Sequence, residues 1–142
     1  MVATKKTRVI MAKVGLDGHE RGIWTVSSVL REAGMEVIYL GLHQTPESIV
    51  KAAIEEDADV VGISCLCGEH LLSAPRIAEL LKENNMSHIA LLVGGIIPDE
   101  DIPLLKKSGV YEVFGPGSPS ESIIKCIEVR AGTKKRKRRS QV

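Results

Sequence analysis

Asp17 and His19 stand two residues apart within Gly15-Leu16-Asp17-Gly18-His19-Glu20-Arg21-Gly22, a polar and glycine-rich stretch. A histidine that binds a metal must present a neutral ring nitrogen, and a carboxylate hydrogen-bonded to the other nitrogen fixes the tautomer. Asp17 has the chemistry to do this for His19, and Lys13 could hold Asp17 in turn. The same residues suit a plainer role, with His19 entering a helix and Asp17 capping it. Three segments of similar character follow, Ser64-Cys65-Leu66, Gly94-Gly95 and Gly115-Pro116-Gly117-Ser118. Cys65-x-Cys67-x-x-His70 offers thiols and an imidazole, but its spacing is not the C-x-x-C of metal and redox sites. His43, His70 and His88 read as loop or cap residues, and Cys126 as packing on the last helix.

The elements that must position these residues alternate between strand and helix. Arg8–Lys13 is a short apolar run of strand type, and Ile23, Val26, Leu30 and Ala33 then recur at helical spacing until Gly34 stops the helix. Met35–Leu40 reads as a second strand, and Thr45 and Pro46 open a second helix. Asp59–Ser64 and Ile89–Val93 are apolar on both faces, as central parallel strands are. A helix from His70 to Glu83 lies between them. A helix from Pro98 or Asp99 to Lys107, a strand Tyr111–Phe114 and a helix from Pro119 to about Val129 complete five βα units. This predicts an α/β fold, a flavodoxin-like doubly wound five-stranded parallel sheet in the order 2-1-3-4-5. Ligands of such sheets bind beyond the carboxyl ends of the strands, and all four unusual segments fall there.

Several occupants of that edge are excluded. The first loop is not G-x-G-x-x-G, no P-loop is present, and no acid follows the second strand to hold a ribose. A phosphoacceptor receiver needs a carboxylate where the third strand ends in serine, and a serine hydrolase needs a G-x-S-x-G turn. The chain has 142 residues, enough for one domain with a real core, and is 44% hydrophobic and 26% charged. Net charge is +1, yet Lys134–Arg139 contributes six of the 19 basic residues, leaving 13 against 18 acidic ones. A body of charge −5 with 3% aromatic residues argues against a nucleic-acid surface. Residues 1–130 read as the domain and 131–142 as a basic, solvated and disordered tail, with an anionic partner as its sharper reading. No signal peptide or membrane span is evident, and three cysteines suit free thiols in the cytoplasm.

Asp17-x-His19-x-x-Gly22, Ser64-x-Leu66 and Gly94-Gly95 together resemble the three-part signature of domains that hold cobalamin base-off with a histidine on cobalt. The wider stretches AKVGLDGHERG, GLHQTPESIV, GGIIP and VFGPGSP are similar to the cobalamin domain of methylmalonyl-CoA mutase and related acyl-CoA mutases. Isobutyryl- and 2-hydroxyisobutyryl-CoA mutase small subunits belong to that group. The resemblance covers roughly residues 7 to 130 without large gaps.

It implies a role for each matching position. His19 would be the lower ligand to cobalt, Asp17 its hydrogen-bond partner, and Lys13 the support behind Asp17. Gly18, Arg21 and Gly22 would shape the loop against the corrin. Ser64 would hydrogen-bond the displaced benzimidazole and Leu66 pack on it, while Gly94 and Gly95 allow close approach of backbone. Phe114 would wall the pocket and Ser118 reach the nucleotide tail, where relatives often carry threonine. No general acid, base or substrate clamp accompanies these residues. The resemblance therefore implies the adenosylcobalamin-binding small subunit of a radical acyl-CoA mutase, partnered by a large barrel subunit that binds the acyl-CoA. A stand-alone cobalamin carrier, chaperone or sensor is the alternative.

Overall fold

A computed structural model describes the backbone of residues 6–15 and 18–140, and the side chains of these as far as 131. The strands are β1 (Arg8–Lys13), β2 (Glu36–Tyr39), β3 (Val60–Cys65), β4 (Ala90–Gly95) and β5 (Glu112–Phe114). All pair in parallel, in the order β2-β1-β3-β4-β5, as the alternation of elements predicts. The helices are α1 (Arg21–Glu32), α2 (Pro46–Glu55), α3 (His70–Glu83), α4 (Ile102–Ser108) and α5 (Ser120–Ser140).

Local chemistry sets the helix ends. Gly34 takes φ +93, and the Met35 N–H returns to the Leu30 carbonyl, closing α1. Thr45 Oγ1 accepts from the Ser48 N–H at 3.0 Å while Ser48 Oγ accepts from the Thr45 N–H at 3.0 Å, a reciprocal cap on α2. A 3-10 turn, Asp99–Asp101, precedes α4, which therefore starts later than its sequence pattern suggests. The last helix runs beyond the Val129 end inferred from spacing, its backbone staying helical to Ser140. Lysine and arginine are good helix formers, so the basic run does not stop it.

Each central strand sends alternate side chains to two helix layers. Ile10, Ala12, Val61, Ile63, Leu91 and Val93 pack beneath α2, α3 and α4. Val9, Met11, Val60, Ala90 and Leu92 face α1 and α5, meeting Ile23, Leu30 and Ile127. Register then aligns one row across the sheet near its carboxyl end, with Lys13 beside Ser64, Ser64 beside Gly94 and Gly94 beside Phe114. Four expected site residues share that row. Among the described residues no helix is long and apolar enough to cross a membrane.

Candidate functional site

On the α1/α5 side the sheet loses its side chains toward the carboxyl end. A Cβ at Gly62 would lie 2.7 Å from Met11 Sδ, so the missing methyl is what lets Met11 lie across the strand. At Gly94 the nearest atom to a Cβ would be the Phe114 carbonyl oxygen, 3.7 Å away. That space is empty of protein. A cavity of about 320 Å3 results, roofed by Val26 and Leu30 of α1 and Ile123 and Ile127 of α5. It lies at the low end of the roughly 300–1,000 Å3 usual for small-molecule sites. Its side chains are apolar except for two hydroxyls, Ser64 and Ser118.

Seven of the expected residues line this cavity, namely Gly22, Ser64, Leu66, Gly94, Gly95, Phe114 and Ser118. Lys13 joins them from beneath. It is fully buried at the end of β1, and its Nζ donates to Ser64 Oγ at 3.2 Å. Gly95 has a separate task. With φ +126, a Cβ there would stand 2.2 Å from the Cys65 carbonyl oxygen, so only glycine permits β4 to run this close to β3. Ser118 Oγ donates to the Gly115 carbonyl at 2.8 Å and holds the turn at the cavity mouth.

The histidine loop leaves β1 at Gly15, whose φ of +64 turns the chain. Its carbonyl lies 2.9 Å from His43 Nδ1, and its N–H donates to the Gln44 carbonyl, which moors the loop to the β2–α2 connection. Asp17 and its neighbour Leu16 lie outside the described residues. Gly18, His19 and Arg21 are exposed and do not line the cavity, although Gly22 next in the chain does. The N-cap of α1 is Glu20, without a side-chain cap bond. The Glu20 carboxylate instead accepts from the Tyr39 hydroxyl. Burial first, and that carboxylate second, push the Tyr39 phenol up to about 12.

Other contributors escape sequence reasoning. Gly62 is one, its signal being a glycine inside an otherwise bulky strand. His70 is another. It opens α3 as a cap position would, but it is buried, with Nε2 2.8 Å from Asp101 Oδ2. This clasp ties the segment after β3, which carries Leu66, to the segment that follows Gly94-Gly95 at the end of β4. None of the three cysteines is in a disulfide, and Cys65 is buried while Cys67 is exposed. Among the described residues no group of three His, Cys, Asp or Glu side chains is placed to hold a metal ion.

An exposed histidine on a turned loop, beside an apolar slot with a hydroxyl at its floor, suits a large metal-containing cofactor with a flat aromatic appendage. The comparisons with known proteins agree. The family model described as the B12 binding domain matches residues 7–124. The chain belongs to that family. It is 49% identical over 120 residues to the 2-hydroxyisobutanoyl-CoA mutase small subunit of Aquincola tertiaricarbonis, covering 84% of this chain and 88% of that protein. It is 46% identical over 124 residues to the pivalyl-CoA mutase small subunit of Xanthobacter autotrophicus, covering 87% and 83% respectively. Among solved structures, a cobalamin-binding protein from Desulfitobacterium hafniense superposes with a TM-score of 0.77 at 20% identity, over 89% of this chain and 60% of that one. That last likeness is one of fold.

Proposed function

We infer that this chain is the cobalamin-binding small subunit of an adenosylcobalamin-dependent acyl-CoA mutase. The observation that carries the reading is the cavity, an apolar slot emptied by Gly94 on one side of the sheet and reached by the loop that bears His19. When bound, adenosylcobalamin supplies the homolytic cobalt–carbon chemistry for a 1,2-rearrangement.

The chain's own residues hold and orient. His19 offers cobalt a neutral imidazole nitrogen, Asp17 fixes its tautomer, and Lys13 supports Asp17 from the end of β1. Gly18, Arg21 and Gly22 shape the loop against the corrin. The cavity receives the nucleotide tail, with Ser64 donating to the benzimidazole, Leu66 packing on it and Phe114 as its wall. Gly94 and Gly95 keep side chains out of the way, and Ser118 meets the tail at the mouth. Residues 131–142 are an appendage to this unit.

Substrate chemistry falls to another chain, a reading supported by the relatives named as small subunits. That partner is a large subunit, of barrel type, which covers the open edge, excludes water and binds the acyl-CoA. The working place is the cytosol, which suits free thiols. The relatives named as small subunits favour this over a stand-alone carrier.

The test is spectroscopic. In the cob(II)alamin-loaded chain, nitrogen-15 labelling of protein histidines is expected to change the hyperfine splitting in electron paramagnetic resonance, and His19→Ala to abolish that dependence. Asp17→Asn should weaken cofactor binding roughly 10- to 100-fold, the usual scale for a group that orients a metal-bound histidine. Unchanged splitting in the wild type would refute histidine ligation, and acyl-CoA turnover by the isolated chain would refute its being a subunit.

A further inference from the structure

The loop that carries His19 is held at both ends by β2 and the connection after it, none of whose residues lines the cavity. At the upstream end the Gly15 N–H donates to the Gln44 carbonyl at 3.3 Å, and the Gln44 N–H donates to the Lys13 carbonyl at 2.9 Å. His43 Nδ1 lies 2.9 Å from the Gly15 carbonyl, which it can meet only as an N–H donor. His43 takes φ +57 there, a conformation uncommon for a residue other than glycine. At the downstream end the hold is a side chain. The half-buried Tyr39 hydroxyl donates to the carboxylate of Glu20, the residue next to His19. The Glu20 carbonyl accepts from the Trp24 N–H at 3.0 Å, the bond that opens α1. Tyr39 thus fixes the end of the loop and the start of the helix together.

A loop that must order itself when a ligand arrives loses conformational freedom at that moment, and a loop ordered beforehand spares binding that cost. We propose that Tyr39 is a positioning residue for the metal site, holding His19 ready through Glu20 before the cofactor arrives. The proposal rests on the cobalamin reading above. The role is indirect, exerted through the loop, and it gives the edge strand β2 a part in a site it does not line. Loss of a hydrogen bond to a carboxylate corresponds to about a tenfold change in the equilibrium that depends on it.

The experiment uses the full-length chain, first free of cofactor and then titrated with hydroxocobalamin. Tyr39→Phe keeps the ring and removes only the donor. In the free chain, amide hydrogen exchange at Trp24 reads the bond to Glu20, and Tyr39→Phe should speed it about tenfold. Tyr111→Phe, just before β5 at the opposite edge of the sheet, should leave it as in wild type. In the titration, followed by corrin absorbance, Tyr39→Phe should bind about tenfold more weakly than wild type. In a His19→Ala background the same substitution should change affinity less than about twofold, because no ligand remains to be positioned. Unchanged exchange at Trp24 would overturn the hold on the loop, and this readout needs no cofactor. Equal losses of affinity with and without His19 would overturn the role toward the metal and leave Tyr39 a packing residue. Failure of wild type to bind is a different result, and it would refute the cobalamin reading itself.

Discussion

The two faces of the sheet use the same central strands and finish differently. Under α2, α3 and α4 the rows stay filled to the carboxyl end, with Ile10, Ala12 and Val14 of β1 and its extension, Val61, Ile63 and Cys65 of β3, and Leu91 and Val93 of β4 all buried. Under α1 and α5 they begin as Val9, Val60 and Ala90, continue as Met11, Gly62 and Leu92, and end as Lys13, Ser64 and Gly94. One face is a core throughout. The other is a core that has been hollowed from one end, giving up packing contacts that a filled row would keep. A doubly wound sheet thus makes a slot without a change of topology: side chains shrink along alternate positions of neighbouring strands, while the intervening positions hold the fold.

Five substitutions test this contrast. The largest effect is expected where both faces share backbone. Gly95→Ala places a methyl against the Cys65 carbonyl in a left-handed conformation and should cost about 4 kcal/mol in urea denaturation. A loss below about 1 kcal/mol would mean that β3 and β4 part easily. Next, Ile77→Ala on the filled face should cost about 3 kcal/mol, whereas Ile127→Ala, which already borders the cavity, should cost about 2 kcal/mol. Equal costs would deny that the α1/α5 face is the looser one.

Filling the hollow tests its purpose. A Cβ at Gly94 meets only the Phe114 carbonyl, at ordinary contact distance, and Gly94→Val directs its methyls into the cavity, so the protein should melt within a few degrees of wild type while cobalamin affinity falls about 100-fold. Unchanged affinity would move the tail elsewhere. The smallest effect concerns the rim, where Tyr39 of β2 meets Glu20 ahead of α1. Its phenol is pushed up to about 12 by burial and then by Glu20, above the ordinary value near 10. The neutral form is the one favoured by folding, so its contribution is complete below about pH 10 and is lost as pH rises through about 12. An alkaline absorbance titration of wild type against Tyr39→Phe should isolate a transition near pH 12. A difference transition near 10 would show that Tyr39 is not held by this contact.

Much of this architecture is local and therefore legible in the chain itself. Doubly apolar runs, helical spacing and caps such as Thr45-Pro46 mark the five βα units, and Arg8–Lys13 and His70–Glu83 have the same bounds in sequence and structure. The loop motif, Ser64-x-Leu66, Gly94-Gly95 and Ser118 announce themselves by type and spacing, and membership of the B12 binding domain family follows from their combination. What periodicity could not decide is register, because pairing between strands far apart in sequence depends on the whole sheet. Register put Lys13 beside Ser64, within hydrogen-bond reach. It also turned Gly62 and Gly94 to the same face, where α5 supplies Ile123 and Ile127 as walls that read in sequence as ordinary core positions. His70 found Asp101 by the same route, 31 positions away in sequence. The chain alone thus determined the elements and the chemistry available at their ends. Only tertiary structure decided which of those groups meet, since a hydrogen bond or a cavity wall needs two segments at one place and local propensity acts on one at a time.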